Sequence, residues 1–182
     1  TYRNRGYTFE VEEKLEGSSM TAYLSKEGEF EVCSRNLSLQ KTDANTFWKV
    51  AIENKIEEKM REHKLFGLAI QAELIGEGVQ GNIYGIKGHT FRVFDIYNTV
   101  TGEYFGSSDR IKLCDILGIP TAPVISHEWR IDSSSIADIV NMAEGKSKLN
   151  PKIEREGIVF KCIEFPHISF KAISNAYLLK QK

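Results

Sequence analysis

Apolar and polar residues alternate one by one at the start of the chain. Tyr7, Phe9 and Val11 are separated by polar positions, a period-two pattern that predicts a strand running into Lys14. The same pattern predicts strands over 20–24 and 30–32, joined at Glu27-Gly28. The period then changes. Trp48, Ile52, Ile56 and Met60 recur at steps of four, which predicts one helix over 43–63, with Asp43 as its cap and Glu57 and Arg61 paired on the solvent side.

Strands follow over 68–75, 83–86 and 91–97. A short helix over 110–117 stops at Gly118, with Pro120 beyond, a normal ending for a helix. A second helix, starting at Ser133 or Ser134 and ending at Glu144, should bury Ile136, Ile139, Val140 and Ala143, with Gly145 as its stop. Strands over 157–163 and 168–173 close the pattern, and 145–151 is the one linker-like piece. Strands outnumber helices and follow one another through short turns. The expected fold class is α+β with mainly antiparallel sheets.

Composition narrows the classes without naming one. The 182 residues are 41% hydrophobic and 27% charged, as in an ordinary globular domain. No apolar stretch has the length of a membrane span. Cys33, Cys114 and Cys162 are odd in number and lack Cys-x-x-Cys spacing, which argues against a disulfide framework or zinc site and for a reducing compartment, cytoplasm or nucleus. The four histidines are scattered. A net charge of −1 lends no support to a strongly basic nucleic-acid surface.

One apparent motif fails on context. Gly76-x-Gly78-x-x-Gly81 matches the dinucleotide fingerprint, but that fingerprint must open a helix, and Ile83-Tyr84-Gly85-Ile86 reads as strand. A kinase glycine loop fits better locally, yet no His-Arg-Asp or Asp-Phe-Gly follows. These glycines are read as a turn between strands. Trp48, Trp129 and Tyr84 are assigned to packing.

Six short runs, in order, carry a stronger signal: Glu13-Lys14-Leu15-Glu16-Gly17-Ser18-Ser19, Cys33-Ser34-Arg35-Asn36, Gln71-Ala72-Glu73-Leu74-Ile75-Gly76, Phe91-Arg92-Val93-Phe94-Asp95-Ile96, Glu156-Gly157-Ile158-Val159-Phe160-Lys161 and Phe170-Lys171-Ala172-Ile173. Together they resemble the motif series of the covalent nucleotidyltransferases, the superfamily of ATP-dependent DNA and RNA ligases and mRNA capping enzymes. DNA ligases and capping enzymes usually carry aspartate and arginine where Glu16 and Ser19 stand. The series is most similar to RNA ligases of the Deinococcus and Naegleria type. Ser169 departs from the paired lysines that some RNA ligases carry beside Lys171.

The resemblance implies an adenylyltransferase domain (ATP-grasp-like) over 1–182, with two mainly antiparallel sheets, flanking helices and a nucleotide pocket between the sheets. An accessory oligonucleotide-binding domain is expected on the N-terminal side of the full-length protein. The implied reaction has three steps. Lys14 attacks ATP to give lysyl-AMP, AMP passes to an RNA 5′-phosphate, and a 3′-hydroxyl seals the break. The implied catalytic residues are Lys14, Glu156, Lys161 and Lys171. The implied nucleotide-binding set is Glu13, Lys14, Gly17, Arg35, Glu73, Phe94, Glu156, Lys161 and Lys171.

The chemistry asked of these residues is specific. Lys14 needs a neutral amine, and Lys161, Lys171 and a bound cation are the nearby positive charges that would favour it. Mg2+ or Mn2+ is the expected cofactor beside ATP, with Glu156 as the first candidate to hold it and Glu73 and Glu16 touching its water shell. Glu73 has a second option, the ribose hydroxyl. Phe94 is expected to stack on adenine and Arg35 to grip a phosphate. Phe91 and Phe94, three positions apart, face opposite sides of a strand. Adenine would also meet the backbone beside Glu13, and Gly17 would let the chain approach the nucleotide. The expected partners are RNA ends or a nicked duplex bearing 3′-OH and 5′-phosphate, the chain acting as a monomer away from membranes. Two alternatives stand: a DNA ligase or capping guanylyltransferase, and a non-catalytic nucleic-acid-binding module.

Overall fold

The computed structural model describes residues 5–132 and 135–180. The chain forms two compact units, one made by the stretch ending at Glu16 together with that beginning at Ala122, the other by Gly17–Thr121. Each unit holds one sheet, and the ladders between strands are antiparallel. The α+β class with flanking helices read from the sequence is what forms.

In the first unit, β1 (Thr8–Lys14), β7 (Val124–Arg130), β8 (Gly157–Cys162) and β9 (Ser169–Ile173) make a sheet in the order β7-β1-β8-β9. The alternation seen at Phe9 and Val11 decides its faces. Both side chains are fully buried in a core with Ile158, Phe160, Cys162 and Ala172. Helices α4 (Ile136–Ala143) and α5 (Asn175–Lys180) belong to this unit. Ser135 caps α4 through a reciprocal pair of bonds with Asp138. The expected starting points Ser133 and Ser134 lie outside the described residues. Ile136, expected in the core, is 80% exposed, while Ala143 is buried.

In the second unit, β2 (Ser18–Leu24), β3 (Phe30–Cys33), β4 (Leu68–Gly76), β5 (His89–Asn98) and β6 (Glu103–Tyr104) run in the order β3-β2-β4-β5-β6. Its core packs Met20, Ile70, Leu74, Phe91, Val93 and Ile96 of the sheet against Trp48, Val50, Ile56, Met60, Cys114 and Leu117. Those last residues come from α1 (Thr46–Glu53), α2 (Ile56–Glu62) and α3 (Ser107–Leu117).

The single helix expected over 43–63 is two helices. Lys55 adopts φ 52° between them, and its N–H bonds Ile52 O at 3.0 Å. The break shifts the phase of the apolar face, so Ile52 is left 51% exposed. The cap is Asn45, whose side chain accepts from Phe47 and Trp48 N–H, rather than Asp43. The expected Glu57–Arg61 pair is present at 2.7 Å.

The segment 83–86 is not a strand. Asn82 holds it as a turn, donating to Ile86 O at 3.0 Å and accepting from Ile86 N–H at 3.2 Å. The glycine-rich stretch therefore leads from β4 to β5 with no helix, and the dinucleotide reading fails as expected. Strands β6 and β7 and helix α5 were not read from sequence. Among the described residues no helix is long and apolar enough to cross a membrane.

Candidate active site

Alternation along β1 separates two kinds of residue. Phe9, Val11 and Glu13 face the core side, while Glu10, Glu12 and Lys14 face the other. Pairing carries that second face across the sheet: Glu10 stands opposite Lys161, Glu12 opposite Val159, and Val159 opposite Lys171. A strip of charged residues thus crosses three strands on the face away from the apolar core.

Lys14, at the end of β1, lies opposite Gly157, and its Nζ is 2.5 Å from Oε1 of Glu156. Both side chains keep some access to solvent, 22% for the lysine and 15% for the glutamate. Residues 142 positions apart are brought together because one ends a strand and the other begins its neighbour. Lys171 is exposed on β9, on the same face.

Lys161 lies on β8 beside a buried carboxylate. Its Nζ lies 3.2 Å from Glu12 Oε2, and the two side chains are only 7% and 1% exposed. The ammonium is paired with a buried carboxylate. Lys171 is the more accessible basic group of the two. Glu12 was missed in the sequence because a glutamate in an alternating strand reads as solvent-facing.

Glu13 faces the apolar side and is 2% exposed. Its Oε2 accepts from Lys148 N–H at 2.7 Å, and its own N–H donates to Pro123 O at 2.8 Å. Burial pushes its carboxyl above the ordinary range, against the opposing pull of Ser147, Lys148 N–H and Arg155. Its side chain orders the 145–151 stretch, which is therefore more than a linker. Glu16 accepts a hydrogen bond from the Tyr177 hydroxyl at 2.6 Å. Tyr177 was not singled out in the sequence.

The two motif glycines share a structural reason. A Cβ on Gly17 would stand 2.3 Å from Leu74 O, and one on Gly157 would stand 2.2 Å from Ala172 O. Neighbouring strands approach so closely there that only glycine fits. Gly17 is required by β4, whatever it does for a nucleotide.

In the second unit the face away from the core carries Ser19, Glu73 and Arg92 in one row across three strands. Beside that row is a β-bulge. Gln71 pairs with Asp95 and Ala72 with Val93, leaving Phe94 as the extra residue of β5. A bulge re-aims its side chain. Phe91 is 1% exposed in the core, whereas Phe94 is half-buried and outside that cluster. Arg92, another residue not singled out, is half-buried with its Nε enclosed and without a hydrogen-bond partner. Arg35 is exposed in the turn after β3.

Among the described residues no three His, Cys, Asp or Glu side chains are grouped to hold a metal by themselves. The oxygen donors fit a hard cation such as Mg2+ or Mn2+ that takes one or two carboxylates and completes its shell with water and phosphate.

Comparison with known proteins identifies the family of the chain. The RNA ligase family model matches residues 7–173. The chain belongs to the RNA ligase family. Solved structures of substituted forms of Naegleria gruberi RNA ligase resemble it closely, one with ATP and manganese and one with AMP and manganese, each 39% identical with a TM-score of 0.91. An apo form of that ligase is 40% identical with a TM-score of 0.90. Each match covers 97% of this chain and 52% of the solved chain, so the sequence spans about half the length of those relatives. No significant match is found among curated proteins.

Proposed function

We propose that this chain is the adenylyltransferase part of an ATP-dependent RNA ligase, with Lys14 as its nucleophile. The observation that carries the reading is the pairing of Lys14 with Glu156 on the charged face of the first sheet, in a chain of the RNA ligase family.

In the first step the Lys14 amine attacks the α-phosphorus of ATP. An N–P bond forms, the bond from the α-phosphorus to the bridging oxygen breaks, and pyrophosphate leaves with the electron pair. The amine must present a lone pair, so Nζ gives up a proton to solvent and Glu156 releases its contact with Nζ as the nucleotide binds. Glu156 would hold the divalent cation, with Glu73 and Glu16 reaching its water shell. When bound, that cation supplies charge neutralisation at the phosphate oxygens.

Lys171 serves as the accessible cation for the phosphates, and Lys161 serves by neutralising Glu12. Phe94 stacks on adenine, Arg35 grips phosphate, and Glu73 has the ribose hydroxyl as its alternative partner. The backbone at Glu13 and Gly17 borders the nucleotide. AMP then passes from Lys14 to an RNA 5′-phosphate. Attack by a 3′-hydroxyl on the activated phosphorus makes the phosphodiester and releases AMP.

The proposed partners are RNA ends or nicked duplexes with 3′-OH and 5′-phosphate, handled by a monomer together with an accessory oligonucleotide-binding domain. An odd number of cysteines without Cys-x-x-Cys spacing suits a reducing intracellular compartment.

Intact mass after incubation with ATP and Mg2+ or Mn2+ tests the reading. A gain of one AMP, absent in Lys14→Ala, is expected. A GMP adduct with GTP would move the protein to capping chemistry. No adduct from folded, initially unmodified protein would overturn the proposal in favour of a binding module.

A further inference from the structure

We propose that Tyr177 is a positioning residue for Glu16, and that α5 thereby belongs to the adenylylation machinery; this rests on the reading of Lys14 as the nucleophile. The starting observation is a contact spanning 161 residues. The Tyr177 hydroxyl donates to Glu16 Oε2 at 2.6 Å. Glu16 stands two residues after Lys14, in the stretch where the chain leaves β1.

Helix α5 contributes no fully buried side chain to the core. It is six residues long, none of them buried, and Leu178 and Leu179 are 48% and 70% exposed. A helix this short is not stable by itself. Polar contacts from distant residues hold it. Glu144 accepts from Ser174 Oγ at 2.8 Å, Asn175 N–H at 2.7 Å and Ala176 N–H at 3.3 Å. Arg155 fixes the backbone around Glu144, donating to Met142 O at 2.7 Å and Glu144 O at 2.5 Å.

The second connection runs to the partner of the nucleophile. Ser174 N–H donates to Glu156 O at 2.9 Å. The 174–177 segment therefore touches the backbone of Glu156 at one end and the carboxylate of Glu16 at the other. Glu156 meets Lys14 across the ladder, and Glu16 follows Lys14 by two positions along the chain. A phenol bonded to a carboxylate makes a short, directional contact. It restricts the rotamers of a side chain that otherwise has three rotatable bonds. Partners of this kind, one step removed from a metal or a reacting group, affect affinity or rate by roughly 10- to 100-fold when removed.

The test follows single-turnover formation of lysyl-AMP over a range of Mn2+ concentrations, in wild type, Tyr177→Phe, Glu16→Ala and the double variant, with melting temperatures alongside. Tyr177→Phe should keep the wild-type melting temperature, slow adduct formation by roughly 10- to 100-fold and need more Mn2+. In the Glu16→Ala background the same change should have no further effect. A wild-type rate for Tyr177→Phe at limiting Mn2+ would overturn the proposal. So would an equal loss in both backgrounds, or a loss matched by a lowered melting temperature. Absence of adduct in the wild type would overturn the ligase reading itself, which separates the two failures.

Discussion

Lys14 Nζ and Glu156 Oε1 lie 2.5 Å apart, joining the end of β1 to the residue before β8. The ladder makes this contact possible by pairing Lys14 with Gly157. On the proposed function, this carboxylate would exchange a lysine for a cation when nucleotide arrives.

That geometry gives the first prediction. Glu156→Gln keeps the shape of the side chain but removes its charge. Lysyl-AMP formation should fall by about 100-fold or more, on the scale of losing one preorganised electrostatic group. A mass-based rate assay with saturating ATP measures it, and a near wild-type rate would remove Glu156 from the mechanism.

The buried pair of Lys161 and Glu12 predicts a stability effect of unusual size. Lys161→Met removes the cation 3.2 Å from the Oε2 of Glu12, a side chain 1% exposed, and breaking a buried pair in this way costs about 3–5 kcal/mol. The double change Glu12→Leu with Lys161→Met should recover most of that loss. Urea unfolding of the three variants measures it; equal losses in single and double variants would contradict the pairing.

Phe91 and Phe94 should separate stability from binding. Phe91→Ala opens a hole in the core and should cost about 3–5 kcal/mol. Phe94→Ala should cost much less, while weakening ATP binding by on the order of 1–3 kcal/mol through lost stacking. Thermal melts with and without ATP distinguish the two outcomes.

Gly17→Ala and Gly157→Ala should each destabilise the protein without any ligand present. The added Cβ atoms meet backbone carbonyl oxygens at 2.3 Å and 2.2 Å, and overpacking of this kind costs about 1–3 kcal/mol. An unchanged melting temperature in the absence of nucleotide would show that close strand packing is not what demands glycine.

Acid should loosen α5. Burial alone would raise the Glu144 carboxyl, but the bonds from Ser174, Asn175 and Ala176 and the charge of Arg155 hold it below its ordinary value near 4.5. A depressed folded value means the unfolded state binds more protons in that window. The contribution is present above the ordinary value and is lost as pH falls through the lowered one. Glu144→Gln should flatten that part of the stability profile in pH-dependent melting curves.

Much of the chain was legible because local periodicity and turn chemistry agree with the fold. Phe9 and Val11 showed a strand with one buried face, and Gly118, at φ 60°, ends α3 as its position suggested. The candidate site residues stand in short motifs, in order along the chain. Their geometry was not legible, since Lys14 and Glu156 are separated by 142 residues and meet only through strand register. The helix break at Lys55 escaped notice because neither Gly nor Pro marks it. The partners Glu12 and Tyr177 escaped for another reason: a glutamate in a strand and a tyrosine near the end of the chain carry no local signature of what they touch.

The amino-acid sequence by itself determined the period of each element, most of the stops, and the set of chemically capable residues. Those follow from interactions between neighbours along the chain. Tertiary structure decided which carboxylate meets which cation, which aromatic leaves the core, and why two glycines cannot be replaced. Those depend on register and close packing between distant strands, where a shift of one residue would turn Lys14 to the other face of its sheet.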